Sequence, residues 1–167
     1  MFSFFDVSLL TYPVCQNIDM SQDGAGIELE TSLGYLMKEV SSALRTAMEA
    51  VLRPLGMSVT HYSCLELLAQ RPGLSNSELA RGTFVTRQAM NVLLQALEAD
   101  GLVTRSEQPA SGRALPTQLT AAGRAQLATA SAAVRGVEDR MKSGLAPAEQ
   151  VALRAMLSTC AASLRAT

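Results

Sequence analysis

The stretch that most constrains the fold runs from residue 75 to residue 120. Ser75 and Glu78 form the S-x-x-E pattern of a capping box, in which two free amides at a helix start are hydrogen-bonded reciprocally. Thr86, another capping residue, precedes a longer run with helical apolar spacing. That run stops at Gly101, which accepts a left-handed helix cap. The order predicted here is a short helix, a turn and a longer helix.

A β-hairpin is predicted directly after these two helices. Residues 102–107 alternate weakly as a strand, and residues 108–112 contain the Pro and Gly of a hairpin tip. Residues 114–119 are a poorer strand, because Pro116 cannot donate to a strand ladder. Gly82 is expected to permit the turn between the two helices. Helix, turn, helix and wing in this order predict a DNA-reading unit.

Long amphipathic helices are predicted on both sides of this unit. Apolar residues recur at steps of three and four over residues 28–52, with Thr31 or Ser32 as the cap if the helix starts late. A further helix is expected to begin at Thr60. Residues 120–141 are Ala-rich and helical, and Ala146-Pro147 opens a last helix to residue 164. Both terminal helices carry more apolar surface than a small winged unit can cover, which predicts dimerisation.

Composition limits the other classes of function. The net charge is −1, so a nucleic-acid surface must come from local clustering; residues 81–124 hold five arginines against three acidic residues. No nucleophile–base pair, paired acid/base signature or phosphate loop is present, so no enzyme activity is predicted and no cofactor is expected. Three widely spaced cysteines fit a reducing cytoplasm better than a disulfide framework.

The first 27 residues are interpreted as an N-terminal arm or a mobile tail. An alternative is that translation starts at Met20. The apolar N-terminus has no Lys or Arg before Lys38, and Asp6 interrupts it, so a signal peptide is not predicted. No apolar run reaches the ~18 residues of a membrane span. The predicted location is therefore the cytoplasm, with no membrane partner.

Amide side chains on the longer helix are the main functional clue. Gln88, Asn91 and Gln95 lie at i, i+3 and i+7, with Arg87 one turn before Asn91, so they form one outward stripe. Gln and Asn match the donor and acceptor on the major-groove edge of adenine, and Arg suits guanine or a phosphate. The alternative is an ordinary solvated helix face.

The segment resembles the winged helix-turn-helix of the MarR family of bacterial transcription regulators, over about residues 28–164. No single motif carries the resemblance, which depends on the order and spacing of several. The matching residues are Leu79-Ala80, Val85-Thr86-Arg87-Gln88-Ala89-Met90, Leu97-Glu98-Ala99-Asp100-Gly101-Leu102-Val103, Arg105, Leu119-Thr120-x-x-Gly123, the flanks Pro54-Leu55-Gly56-Met57-Ser58 and Pro72-Gly73-Leu74-Ser75, and Leu145-Ala146-Pro147-Ala148-Glu149-Gln150.

The resemblance implies a mainly α fold with a small β-hairpin wing, in a homodimer that binds a palindromic DNA operator. Residues 28–167 would form one domain, with 28–56 and 121–167 as dimerisation helices and 57–120 as the winged helix-turn-helix. A repressor released by a small aromatic or phenolic effector is the function expected. The predicted DNA contacts are Ser75, Ser77, Thr86, Arg87, Gln88, Asn91, Gln95, Arg105 and Arg113.

The wing departs from the family pattern. The family usually has an Asp two residues before the wing Arg and a doubled basic pair, whereas here Ser111 precedes Gly112 and Arg113. A serine offers a weaker hydrogen bond than a carboxylate to neighbouring arginines. A more mobile wing and a lower affinity for DNA are therefore expected.

The resemblance also suggests an effector crevice between the dimer helices and the winged unit. Its candidate lining residues are Tyr35, Arg45, Met48, His61 and Tyr62, and ordinary packing at a helix start is the alternative. Cys15 is a candidate redox thiol, although no cation lies near it in sequence to lower its pKa. His61 and Cys64 alone do not make a metal site. A winged-helix module that binds protein instead of DNA, and a thiol-based redox sensor, remain alternative functions.

Overall fold

The computed structural model of the protein describes residues 26–105 and 117–166, and over these residues it has six α-helices and one antiparallel strand pair. The elements are α1 (Leu33–Leu52), α2 (Val59–Gln70), α3 (Asn76–Gly82), α4 (Arg87–Ala99), β1 (Val103–Arg105), β2 (Thr117–Leu119), α5 (Ala121–Lys142) and α6 (Pro147–Arg165). A short 3-10 turn, Arg53–Leu55, follows α1 and ends at Gly56, whose φ is 68°. The predicted fold class, a mainly α fold with a small β-hairpin, is confirmed.

Side-chain caps fix where the first two helices begin. The Ser32 hydroxyl accepts a hydrogen bond from the amide of Tyr35 at 3.2 Å, so α1 starts late, as one of the two predictions allowed. The Ser58 hydroxyl accepts from the amide of His61 at 3.2 Å, so α2 starts before Thr60. The predicted start at Thr60 was wrong because the preceding serine already satisfies a free amide of the first turn.

The two helices of the predicted helix-turn-helix begin as the sequence indicates. The capping box of Ser75 and Glu78 is present at α3, with the Ser75 amide 2.8 Å from the Glu78 carboxylate. The Thr86 hydroxyl accepts from the amide of Ala89 at 3.1 Å at the start of α4. Gly101 has φ 68° directly after α4 and ends it with the expected left-handed cap.

The turn between α3 and α4 differs from the prediction. Phe84, and not Gly82, takes the left-handed conformation, with φ 58°. The conformation is held by two backbone hydrogen bonds, from Phe84 to Arg81 and from Val85 to Ala80. Gly82 is the last residue of α3, and a Cβ there would lie 2.7 Å from a Leu67 methyl group. Gly82 therefore permits close packing of α3 on α2, while the turn is formed by Phe84.

The two described strands of the wing lie within the predicted ranges. Val103 pairs with Leu119 and Arg105 with Thr117 in an antiparallel register, so each described strand has three residues. Val103, Thr117 and Leu119 are buried, which fastens the base of the hairpin to the core. The predicted hairpin tip, residues 108–112, lies outside the described residues.

The core lies where α2, α3, α4, the strand pair and α5 meet. Large aliphatic side chains from all of these elements form one cluster, which excludes water from the centre of the unit. Its fully buried side chains of largest volume include Leu52, Leu65, Leu68, Leu79, Met90, Leu94 and Leu97. The core positions predicted on α4 are thus confirmed, and α4 is fixed along its inward face.

The two terminal helices are exposed over much of their apolar surface. α1 packs mainly along α5, yet among its residues only Leu52 is buried. α6 buries no residue. Side chains such as Leu33, Val151 and Leu164 are more than two-thirds exposed. None of the described helices is both long enough and apolar enough to cross a membrane.

Candidate nucleic-acid interface

The outward face of α4 carries the amide stripe predicted from the sequence. Met90, Leu93, Leu94 and Leu97 point into the core, and the opposite face is exposed. The predicted stripe residues on that exposed face are Arg87, Gln88, Asn91 and Gln95. A rigid helix thus presents one cation and three amides to solvent, a set of groups suited to the polar edges of base pairs.

The start of α4 is tied to the start of α3 by a contact that the sequence does not reveal. The Asn76 side-chain amide donates to the carbonyl of Arg87 at 3.3 Å. The other polar atom of this side chain, Asn76 Oδ1, is buried and has no hydrogen-bond partner among the described residues. Asn76 thus links the starts of the two helices, and this contact was missed because the two residues are eleven positions apart in the chain.

The end of α4 is held by Thr120, which lies across the strand pair from it. The Thr120 hydroxyl donates to the carbonyl of Gly101 at 2.7 Å and accepts from the amide of Gly123 at 3.0 Å. The Thr120 amide donates to the carbonyl of Leu102 at 3.0 Å. One residue thus caps α5 and fastens the exit of α4 to it.

The remaining predicted DNA contacts occupy helix starts and the wing. Ser75 and Thr86 are the caps of α3 and α4, and Ser77 is half-buried in the first turn of α3. Arg105 is the last residue of β1. Arg113, the predicted wing-tip contact, lies outside the described residues. The described part of the set lies along α3, α4 and the base of the wing.

The five predicted effector residues lie at different places along α1 and α2. Tyr35 lines a groove of about 850 Å³ along α1, together with Arg140 of α5. Arg45 is exposed and forms an ion pair of 2.9 Å with Glu49 one turn further along α1. Met48 and Tyr62 are half-buried against the core. The role of the set as an effector site therefore stays a prediction.

Burial perturbs two of these groups. It lowers the pKa of His61 below its usual value, and the nearby Asp100 carboxylate acts in the opposite direction. It also raises the pKa of Tyr62, while a hydrogen bond with Ser131 acts against that increase. His61 is therefore mainly neutral near neutral pH. The opposing influence comes from Asp100, the residue at the C-terminal end of α4.

The cysteines differ in environment. Cys64 is fully buried and burial raises its pKa to about 12, so its thiolate form is scarce at neutral pH. Cys160 is half-buried on α6, and Cys15 lies outside the described residues. Within residues 26–105 and 117–166, no three His, Cys, Asp or Glu side chains come together as a metal-binding group.

Comparison with known proteins places these features in a family. The model of the MarR family matches residues 55–114. The transcriptional repressor Rv2887 of Mycobacterium tuberculosis is 43% identical over 132 residues, which is 79% of this chain and 95% of the repressor. A crystal structure of Rv2887 with salicylic acid superposes with a TM-score of 0.65 and 43% identity, over 78% of this chain and 96% of that one.

Two structures of related proteins contain DNA. Rv2887 in complex with DNA has a TM-score of 0.65 and 41% identity, over 78% of this chain and 98% of that one. The repressor CouR bound to a 23-mer DNA duplex has a TM-score of 0.72 and 30% identity, over 82% of this chain and 99% of that one. CouR from Rhodococcus jostii RHA1 has also been solved with p-coumaroyl-CoA.

Proposed function

The chain belongs to the MarR family of helix-turn-helix transcription regulators, and from that premise we propose that it is a homodimeric repressor that binds a palindromic DNA operator. The observation that carries the proposal is the outward face of α4, where Arg87, Gln88, Asn91 and Gln95 are exposed together. Such a helix enters the major groove, and its side chains read base edges. We also propose that it acts by binding and not by catalysis, in the cytoplasm.

The exposed apolar surface of the two terminal helices is explained if two copies of the chain pack together. The end of α5 and the exposed face of α6 enclose a groove of about 770 Å³, lined by apolar side chains that include Met141, Leu145, Val151 and Leu157. Exposed apolar surface of this extent on both α1 and α6 favours a partner of the same kind. In the dimer, two α4 helices would reach half-sites about one helical turn, roughly 34 Å, apart.

A small aromatic acid is the effector class that the comparisons favour. Salicylic acid is bound in one structure of Rv2887 and p-aminosalicylic acid in another, whereas CouR binds p-coumaroyl-CoA, a larger thioester that carries a phenolic acyl group. In this chain Tyr35 and Arg45 lie on α1 and His61 lies on α2. We propose that they contact the effector between the dimer helices and the winged unit. An effector releases DNA only to the extent that it binds the released form of the dimer more tightly.

A gel shift over a range of salt concentrations tests DNA binding. The full chain is titrated against the promoter of its own gene and against a scrambled duplex of equal length. The expected result is a shift of the promoter alone, with an affinity that falls steeply as salt rises, because phosphate contacts release counterions. Binding that does not discriminate between the duplexes, or does not respond to salt, would instead favour a protein-interaction module.

Two substitutions on α4 test which side chains contact the DNA. Gln88→Ala and Asn91→Ala are each expected to weaken binding by about 1–3 kcal/mol and to relax the preference at one base pair per half-site. Gln70→Ala, which removes an exposed amide at the end of α2, is the matched control and is expected to leave affinity unchanged. Added salicylate is expected to release the wild-type complex, and an unaffected complex would remove the effector part of the proposal.

A further inference from the structure

The outward face of α4 is not wholly polar, because Val92 is 61% exposed there. Every other large aliphatic side chain of this helix is buried. Those buried side chains are Met90, Leu93, Leu94 and Leu97. The family resemblance and the amide stripe do not include Val92, so its exposure needs an explanation of its own.

Val92 lies among the side chains proposed to read DNA. It is four residues after Gln88 and three before Gln95, so all three share one face of the helix. The inward face of α4 packs on α3 and β1, and Val92 points away from both. It therefore lies within the surface that would face the bases, with amides on either side.

Neither packing nor helix propensity accounts for a valine at this position. An exposed valine buries little apolar surface, and a β-branched side chain in a helix interior costs roughly 0.5 kcal/mol relative to alanine. A residue that weakens the helix slightly and leaves methyl groups in water points to a gain made only in a complex. An apolar group on the partner would provide that gain.

The major groove has one such apolar group, the 5-methyl of thymine. We propose that Val92 contacts a thymine 5-methyl group in each half-site and is a specificity-determining residue. The inference rests on the proposed function and deepens it. Four residues of helix rise by about 6 Å, so the thymine would lie within about two base pairs of the base bound by Gln88.

Removing a single methyl group from the DNA tests the contact. The full chain first selects its preferred duplex from a random double-stranded library. Each thymine of that duplex is then replaced in turn by uracil, symmetrically in both half-sites, and affinity is measured by fluorescence anisotropy. For the wild type, one symmetric thymine pair is expected to show roughly a ten- to twentyfold loss, the size expected when each of the two half-sites loses one buried methyl contact.

Variants at position 92 separate the contact from other effects of uracil. Val92→Ala is expected to bind the thymine and uracil duplexes equally, whereas Val92→Ile retains the discrimination. Alanine is the better helix former, so the Val92→Ala variant is expected to melt no lower than the wild type. Equal discrimination by wild type and Val92→Ala, or no thymine that matters to the wild type, would overturn the inference while leaving DNA binding intact. A wild type that selects no duplex would overturn the proposed function and the inference together.

Discussion

Thr120 shows how one side chain joins two elements at the residue scale. Its hydroxyl caps α5 through the amide of Gly123 and also donates to the carbonyl of Gly101. The sequence predicted a helix starting near Thr120 but gave no sign of the second bond. The pattern Leu119-Thr120-x-x-Gly123 therefore has a structural reason, since it fastens the exit of α4 to the next helix.

Removing the Thr120 hydroxyl is expected to lower the free energy of unfolding. Thr120→Ala leaves the Gly123 amide without its cap and the Gly101 carbonyl without its donor, a loss of about 1–2 kcal/mol. Thr120→Ser keeps the hydroxyl and is the control, expected to lose well under half as much. Urea denaturation followed by circular dichroism measures both, and equal losses in the two variants would assign the effect to the methyl group.

At the scale of elements, α5 approaches the wing base more closely than any side chain would allow. A Cβ on Gly123 would overlap the carbonyl oxygen of Leu102, which is backbone and cannot turn aside. Gly136 lies in the same helix, but a Cβ at this position would meet no neighbouring atom within 4 Å. The two glycines therefore have different roles, although both are helical.

Alanine at these two positions is expected to change stability in opposite directions. Gly123→Ala must displace the strand pair and is expected to cost more than about 2 kcal/mol, the upper range for overpacking. Gly136→Ala replaces glycine in a helix interior with a better helix former. It is expected to raise the free energy of unfolding by up to about 1 kcal/mol. Thermal melts of both variants check this, and a stabilised Gly123→Ala would show that the approach is not tight.

The starts of the helices were predictable from the sequence. Ser75, Thr86 and Thr120 were each identified from sequence as helix starts, because a cap is a local interaction between a side chain and an amide three residues away. The strands have only three described residues each, and their register is set by the burial of Val103 and Leu119 in the core. Gly82 was expected to permit the turn, because glycine tolerates conformations that other residues avoid, whereas Phe84 takes the left-handed conformation.

At the scale of the whole molecule, the exposed terminal helices require a partner. Met156 on α6 is 63% exposed, nearly the same as Val92 on α4. The two residues are both apolar and comparably open to solvent, yet they lie on surfaces with different proposed partners. Met156 would face a second copy of the chain, and Val92 would face DNA.

A charge at each of these positions is expected to separate the two interfaces. Met156→Glu would place a carboxylate in the proposed dimer interface, so the chain is expected to become monomeric and to lose operator affinity by at least about a hundredfold, because each half-site then binds alone. Val92→Glu is expected to remain dimeric while losing operator affinity by repulsion from the phosphates. Sedimentation equilibrium and anisotropy measure both, and a dimeric Met156→Glu would contradict the interface.

The sequence by itself determined the helix starts, the inward face of α4 and the polar stripe opposite it. These depend on interactions within a few residues and on the helical period, which are fixed before the chain folds. Only the tertiary structure revealed the hydrogen bond from Asn76 to Arg87, the hydrogen bond from Thr120 to Gly101, the left-handed conformation of Phe84 and the exposure of Val92. The two hydrogen bonds depend on which distant segments meet, and local sequence does not encode that.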